Sequence, residues 1–203
     1  MRAIDEVEEA IGVPPEVAVV RSVGFRLLLE HPGPISPTVW ADAAGIDTDA
    51  LHTMLERDDV RGRVRLGDEG QLLAIAGLSV ERTRHEIRIQ GVTRWTWCAL
   101  DAVGIFGALE ADGSVESTSP LGDTPIRITF VSGVPDTDAV LFIAEGYDGR
   151  SVVENWCPTI NFFACQGDAR RWIAEAGLVG DVVPVSEIAP RAAEMWRPVV
   201  EGP

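Results

Sequence analysis

Apolar positions along this 203-residue chain change their spacing near residue 80. Before that point they recur at helical intervals. Glu16 to Glu30 follows Pro14-Pro15 and reads as a helix that stops before His31-Pro32-Gly33-Pro34, where prolines and a glycine break it. Ser36-Pro37 sets a capping residue before a proline at the first helical position, opening a short helix that ends at Gly45. Asp47 or Thr48 caps a third, with Leu51, Met54 and Leu55 at helical spacing. Arg61 to Leu66 and Gln71 to Ile75 flank Gly67-Asp68-Glu69-Gly70 and predict a hairpin. Three helices followed by a hairpin form a winged-helix-like pattern, assigned to residues 1–80.

Beyond Ser79 the pattern mixes periods. His85 to Gln90 and Ile126 to Val131 alternate apolar with polar, and Ala139 to Ala144 is almost continuously apolar, so all three predict strands. A helix is predicted from about Arg94 to Leu109, with Gly104 and Gly107 letting a sheet approach it closely. Another starts near Gly167-Asp168 and runs to Ala176, ended by Gly177, and a last one covers Glu187 to Trp196. The expected fold class is α+β, with a mixed α+β second domain over residues 81–203. No internal repeat or phosphate-binding glycine loop is evident.

A hydrophobic content of 46% is enough for a core without staples. The three cysteines are an odd number, with neither a charged-then-apolar leader nor an apolar run of membrane-spanning length. The expectation is therefore a cytoplasmic protein with reduced thiols and no membrane association. The net charge of -15 arises from 32 acidic and 17 basic residues, all of the latter arginine. Such acidity repels phosphate backbones, and the segment that would serve as a recognition helix carries Asp47, Asp49, Glu56, Asp58 and Asp59. No nucleic-acid partner is expected.

The chemistry concentrates at Arg94-Trp95-Thr96-Trp97-Cys98-Ala99-Leu100-Asp101 and at Asn155-Trp156-Cys157-Pro158. With both on a helix, Cys98 and Asp101 would share a face, and the helix dipole together with Arg94 would favour a thiolate at Cys98. A small buried core cysteine is the plainer reading of Cys98, a solvated helix residue that of Asp101, and core packing that of Trp95 and Trp97. Zinc would need Cys98, Cys157 and Cys165 to combine with a histidine. His31, His52 and His85 all lie far upstream, and no C-x-x-C or H-x-x-x-H spacing occurs. A cysteine protease would have only His85 as a base in the same domain.

Trp97-Cys98-Ala99-Leu100-Asp101 before an apolar helix, with a second cysteine five residues ahead of Phe162-Phe163-Ala164, resembles the organomercurial lyase (alkylmercury lyase) family. The resemblance covers roughly Arg94 to Met195, and the winged-helix-like front half matches that family's architecture. It implies that Cys98 and Cys157 bind the mercury of an R-Hg compound and that Asp101 helps deliver the proton releasing R-H. Trp97 is expected to contribute to substrate binding. Implied with it are an organomercurial substrate, no cofactor, Hg(II) as the bound product, and low-molecular-weight thiols or mercuric reductase as the product acceptor. The sequence departs from the family where Pro158 replaces a further cysteine, and Cys165 is an extra thiol. Mercury(II) is soft and thiophilic, so two thiolates can push electron density onto its bound carbon. The acid beside that carbon can be Asp101 if apolar surroundings raise its pKa or if it relays a thiol proton. A thiol-based soft-metal-binding or metal-sensing protein without lyase activity is the alternative, and pure binding has no need of Asp101.

Overall fold

The computed structural model describes residues 2–147 and 151–202. In chain order its elements are α1 (Arg2–Ile11), α2 (Pro15–Glu30), α3 (Pro37–Ala44), α4 (Thr48–Leu55), α5 (Asp58–Arg61), β1 (Val64–Leu66), β2 (Leu72–Ile75), β3 (Leu78–Ser79), β4 (His85–Ile89), β5 (Val92–Thr96), α6 (Ala99–Leu109) and β6 (Gly113–Thr118). After these come β7 (Pro125–Val131), β8 (Val134–Asp136), β9 (Val140–Ala144), β10 (Asn161–Phe163), α7 (Gln166–Ala176), β11 (Gly180–Pro184) and α8 (Val185–Glu201). The mixed α+β class holds.

Two antiparallel sheets organise the chain. One has eight strands in the order β1-β2-β3-β5-β4-β6-β7-β8, and the other has three in the order β10-β9-β11. The large sheet runs unbroken across residue 80, because Leu78 and Ser79 of β3 pair with Thr96 and Trp95 of β5. β7 shows the alternation of a one-sided strand, burying Ile126, Ile128 and Phe130 and exposing the residues between them. β9 is buried at every position, as expected for the centre of the smaller sheet.

Several boundaries differ from those predicted. Arg94 to Thr96 belong to β5, so α6 starts only after Cys98. The alternation of Val92, Arg94 and Thr96 continues the strand, and the chain turns into the helix at the cysteine. Arg94 is consequently remote from the role expected of it. Its guanidinium donates to the Leu28, Leu29 and His31 carbonyls, satisfying the C-terminal end of α2. Gly104 and Gly107 do allow close approach, but by the last helix rather than by a sheet. A Cβ on Gly104 would lie 2.3 Å from Trp196 Cε3, and one on Gly107 would lie 2.6 Å from Ala193 Cβ. The sequence pattern predicts neither α1 and α5 nor β3, β6, β8, β10 and β11, and α8 extends beyond the predicted Glu187 to Trp196.

α6 is buried on nearly all sides, from Ala99 to Phe106. With α8 against its glycine face and Phe106 stacked on Phe130 of β7 at 4.2 Å, it is the central post of the molecule. Gly104→Ala is expected to overpack this contact and cost about 1–3 kcal/mol in denaturant unfolding. Gly33→Ala, where a Cβ meets nothing within 4 Å, should stay within about 0.5 kcal/mol of the parent.

Candidate active site

Cys98 caps α6. Its backbone is extended, and its amide donates to Asp101 Oδ2 at 2.8 Å while the Asp101 amide donates to Cys98 Sγ at 3.4 Å. This is a capping box in which cysteine replaces the usual serine or threonine, sulfur standing where a hydroxyl would. Thr96 Oγ1 donates to the Cys98 carbonyl at 2.9 Å, and the Ala99 amide donates to the Ile160 carbonyl at 3.1 Å. That last bond ties the helix start to the segment carrying the second thiol.

Cys157 lies where a π-helical turn (Val152–Trp156) passes into a 3-10 turn (Cys157–Thr159). Pro158 follows it with its φ preset and no amide to satisfy. The Ile160 amide closes the turn onto the Cys157 carbonyl at 3.1 Å, while Trp156 Nε1 donates to the Ala144 carbonyl at 2.9 Å and anchors the segment on β9.

Cys98, Asp101 and Cys157 thereby converge, with one potential ligand atom from each lying within 4.8 Å of the others. They are only 2%, 5% and 3% exposed. The β2–β3 turn packs directly on the carboxyl. Its two residues, Ala76 and Gly77, both have positive φ (51° and 83°), as a two-residue hairpin requires, and a Cβ on Gly77 would lie 2.3 Å from Asp101 Oδ1. Trp196 Nε1 donates to the Ala76 carbonyl at 3.2 Å and fixes the turn from the other side.

Two cavities share Asp101. The smaller, about 40 Å³, is lined by Cys98, Cys157, Trp156 and Ile160 as well as Asp101. The larger, about 70 Å³, is mostly apolar and lined by Gly77, Trp97, Trp40, Met54 and Val20. Neither thiol borders the larger one. Trp97 is half-buried in its wall, and its indole N–H has no hydrogen-bond partner among the described residues.

Burial decides the protonation states. It pushes Asp101 up to about 6 against the opposing hydrogen bonds from Cys98. Cys98 is raised well above the usual thiol range, first by burial and then by Cys157 and Asp101. This reverses the expected activation of Cys98 by the helix dipole and Arg94. For Cys157 the contact with Cys98 pulls downward, but burial and the Asp101 charge push harder and the net shift is upward. The site thus holds its thiols protonated and its carboxyl ready to carry a proton near neutral pH. Two close thiols offer a soft cation linear coordination at the expense of their protons.

Cys165 does not join the cluster; it is exposed at the start of α7. His85 is buried elsewhere, with Nδ1 2.8 Å from Ser117 Oγ and its ring edge-on to Phe162. Burial lowers its pKa to about 3, so it is neutral.

A family model described as alkylmercury lyase matches residues 78–197, a span containing both buried cysteines and the aspartate. The chain belongs to the alkylmercury lyase family. An alkylmercury lyase of Streptomyces lividans is 29% identical over 138 residues, covering 66% of this chain and 62% of that protein. One of Bacillus cereus is 32% identical over 117 residues, covering 54% and 52%. The chain therefore spans between about half and three fifths of the length of these curated relatives. The fold is shared with a crystal structure of the mercury-bound form of MerB2, at a TM-score of 0.85 and 17% identity over 97% of this chain and 99% of that one.

Reading the sequence alone missed Gly77, although an isolated glycine between two apolar runs signals a bulge or a close backbone approach. Trp196 and Arg21, which also line the larger cavity, carry no local signal, since only the tertiary fold brings them there.

The raised Asp101 pKa has a sign that can be tested. A carboxyl whose folded pKa exceeds its unfolded value favours folding when protonated. That contribution is fully present below about 4 and is lost as pH rises through about 6. Asp101→Asn keeps an acceptor for the Cys98 amide and does not titrate. Its stability relative to the parent should rise by on the order of 3 kcal/mol between pH 4 and 7, as measured by denaturant unfolding. A constant difference across that range would mean that Asp101 has an ordinary pKa.

Proposed function

We propose that the protein is a carbon-mercury lyase that cleaves organomercurials by protonolysis, R-Hg⁺ + H⁺ giving R-H and Hg²⁺. The observation that carries this reading is the placement of Asp101 between the thiol-lined cavity and the apolar one. Mercury bound by Cys98 and Cys157 would lie in the first, with its organic group directed into the second. The carboxyl would then face the bond joining them.

The protons balance within the cluster. R-Hg⁺ and two thiols give R-H, a mercury dithiolate and one H⁺. Each sulfur gives up its proton on binding the soft cation, and sulfur donation weakens the mercury–carbon bond. Asp101 takes one of these protons and delivers it to the leaving carbon, while the other escapes to solvent. With its pKa near 6, Asp101 is basic enough to accept a proton and acidic enough to return it at neutral pH. Trp97 forms part of the wall around the organic group. No organic cofactor enters this chemistry, and Hg(II) is the bound product. Low-molecular-weight thiols or mercuric reductase would then remove it.

Residues 1–80 act, in this reading, as a winged-helix-like cover for a catalytic domain spanning 81–203. Support comes from α2, α3 and α4 followed by the β1–β2 hairpin, with Ile35 bridging to Leu72. Val20, Trp40 and Met54 of this segment wall the larger cavity. Asp47, Asp49, Glu56, Asp58 and Asp59 are all exposed, which suits solvent better than a phosphate backbone. Among the described residues no helix is long and apolar enough to cross a membrane, and a cytoplasmic location is part of the proposal.

Incubation with an organomercurial and excess thiol should release R-H catalytically. Cys98→Ser and Cys157→Ser should each lower turnover at least a hundred-fold, because a hydroxyl is a hard, un-ionised ligand. Cys165→Ser should remain within about two-fold of the parent, since an exposed thiol outside the cluster has no part in the chemistry. Near-parent turnover by either buried-cysteine variant would end the two-thiolate mechanism.

A further inference from the structure

The apolar cavity beside Asp101 has a cation in its wall. Arg21 projects from α2, and its Nη1 donates to the Ile11 carbonyl at 2.6 Å. Its Nε is buried with no hydrogen-bond partner among the described residues. Arg63 lines the same cavity and donates to the next carbonyl along the chain, that of Gly12, at 2.8 Å. Two guanidiniums thus sit on consecutive carbonyls of the α1–α2 connection. Burial and then the Arg63 charge draw the Arg21 pKa down to about 10, which still leaves it cationic at neutral pH.

Among the described residues no carboxylate compensates Arg21. Asp59 borders the cavity, but Arg57 holds both of its oxygens, at 2.9 and 2.7 Å. Among the described residues neither Arg21 nor Arg63 has an acidic partner within ion-pair distance. In a chain of net charge -15, a half-buried cation that lines an apolar cavity and keeps a buried, unpaired N–H fits an anionic group arriving from outside.

We propose that Arg21, assisted by Arg63, is a specificity-determining anchor for a carboxylate on the organic group of the substrate. The proposal rests on the lyase reading above and names its substrate class as carboxyalkyl mercurials. The cavity of about 70 Å³ is roughly half the size of the ~150 Å³ void that accommodates benzene. A short chain fits it as the walls stand, whereas a ring requires the flexible Met54 to swing aside. For 2-carboxyethylmercury the reaction is ⁺Hg-CH₂CH₂-COO⁻ plus two thiols giving propionate, the mercury dithiolate and one H⁺. The mercury–carbon bond breaks, and the new C–H bond takes a proton originating on sulfur.

The test compares 2-carboxyethylmercury with 3-methylbutylmercury, its uncharged counterpart in shape. 2-Mercaptoethanol serves as the only thiol, so that no carboxylate arrives on a mercury ligand. Both kcat/KM and competitive retention of the two mercurials are measured. The parent should prefer the carboxylate at least ten-fold, since a charge-assisted hydrogen bond to a buried group contributes that much. Arg21→Met should reduce the preference at least ten-fold, and Arg63→Gln at least three-fold. The second variant carries the test if the first does not fold. Absence of a preference in the parent, or its survival in both variants, overturns the anchor. Hydrocarbon release without preference leaves the lyase reading standing and removes the anchor. Preferential retention without release does the reverse.

Discussion

The Asp101 carboxylate accepts the Cys98 amide at 2.8 Å, and the Asp101 amide donates in return to Cys98 sulfur at 3.4 Å. Everything at the site depends on this reciprocal pair. It ends β5, starts α6 and brings a soft sulfur and an acid together in one step of backbone geometry. A serine at the cap would start the helix equally well. What cysteine adds is affinity for a soft cation, at the cost of a weaker acceptor for the helix amide.

Elements packed against the pair close it off except at the two cavities that border it. Gly77 presses on the carboxyl, Trp196 holds the turn that carries Gly77, and Gly104 lets Trp196 lie against α6. This packing withdraws the carboxyl from bulk solvent, and that desolvation raises the Asp101 pKa. Burial that is unfavourable for an ionised carboxylate thus produces an acid suited to neutral pH. The same burial keeps the thiols protonated until a thiophilic ligand displaces their protons. In the proposed mechanism the thiolates therefore form on mercury binding instead of lying in wait.

Much of the front half was legible because its punctuation is local. Ser36 before Pro37 caps α3, the Asp47 side chain caps α4, and Gly45 takes the left-handed conformation that ends α3. The start of α6 was misplaced because cysteine is absent from the usual capping residues, so nothing local marks where the strand-favouring Val92 to Thr96 gives way to the helix. α1 has Ile4 and Val7 at helical spacing but no residue that marks its start. β6 reads Gly-Ser-Val-Glu-Ser-Thr, too polar to announce a strand that pairs on both edges. The grouping of Cys98, Asp101 and Cys157 came from a resemblance to a family. Their separation along the chain exceeds anything that periodicity reports. Arg21 was invisible for the same reason, since nothing local connects α2 with the cavity it faces.

The central claim is that one buried carboxyl moves the proton that separates a mercury trap from a lyase. A single-turnover comparison of the parent with Asp101→Asn, following mercury retained and hydrocarbon released in the same sample, tests it most directly. The amide preserves the cap and leaves the thiols in place, so Asp101→Asn should retain one equivalent of mercury while releasing hydrocarbon on the order of a hundred- to ten-thousand-fold more slowly. Release at the parent rate with mercury retained would remove Asp101 from the chemistry and contradict the account.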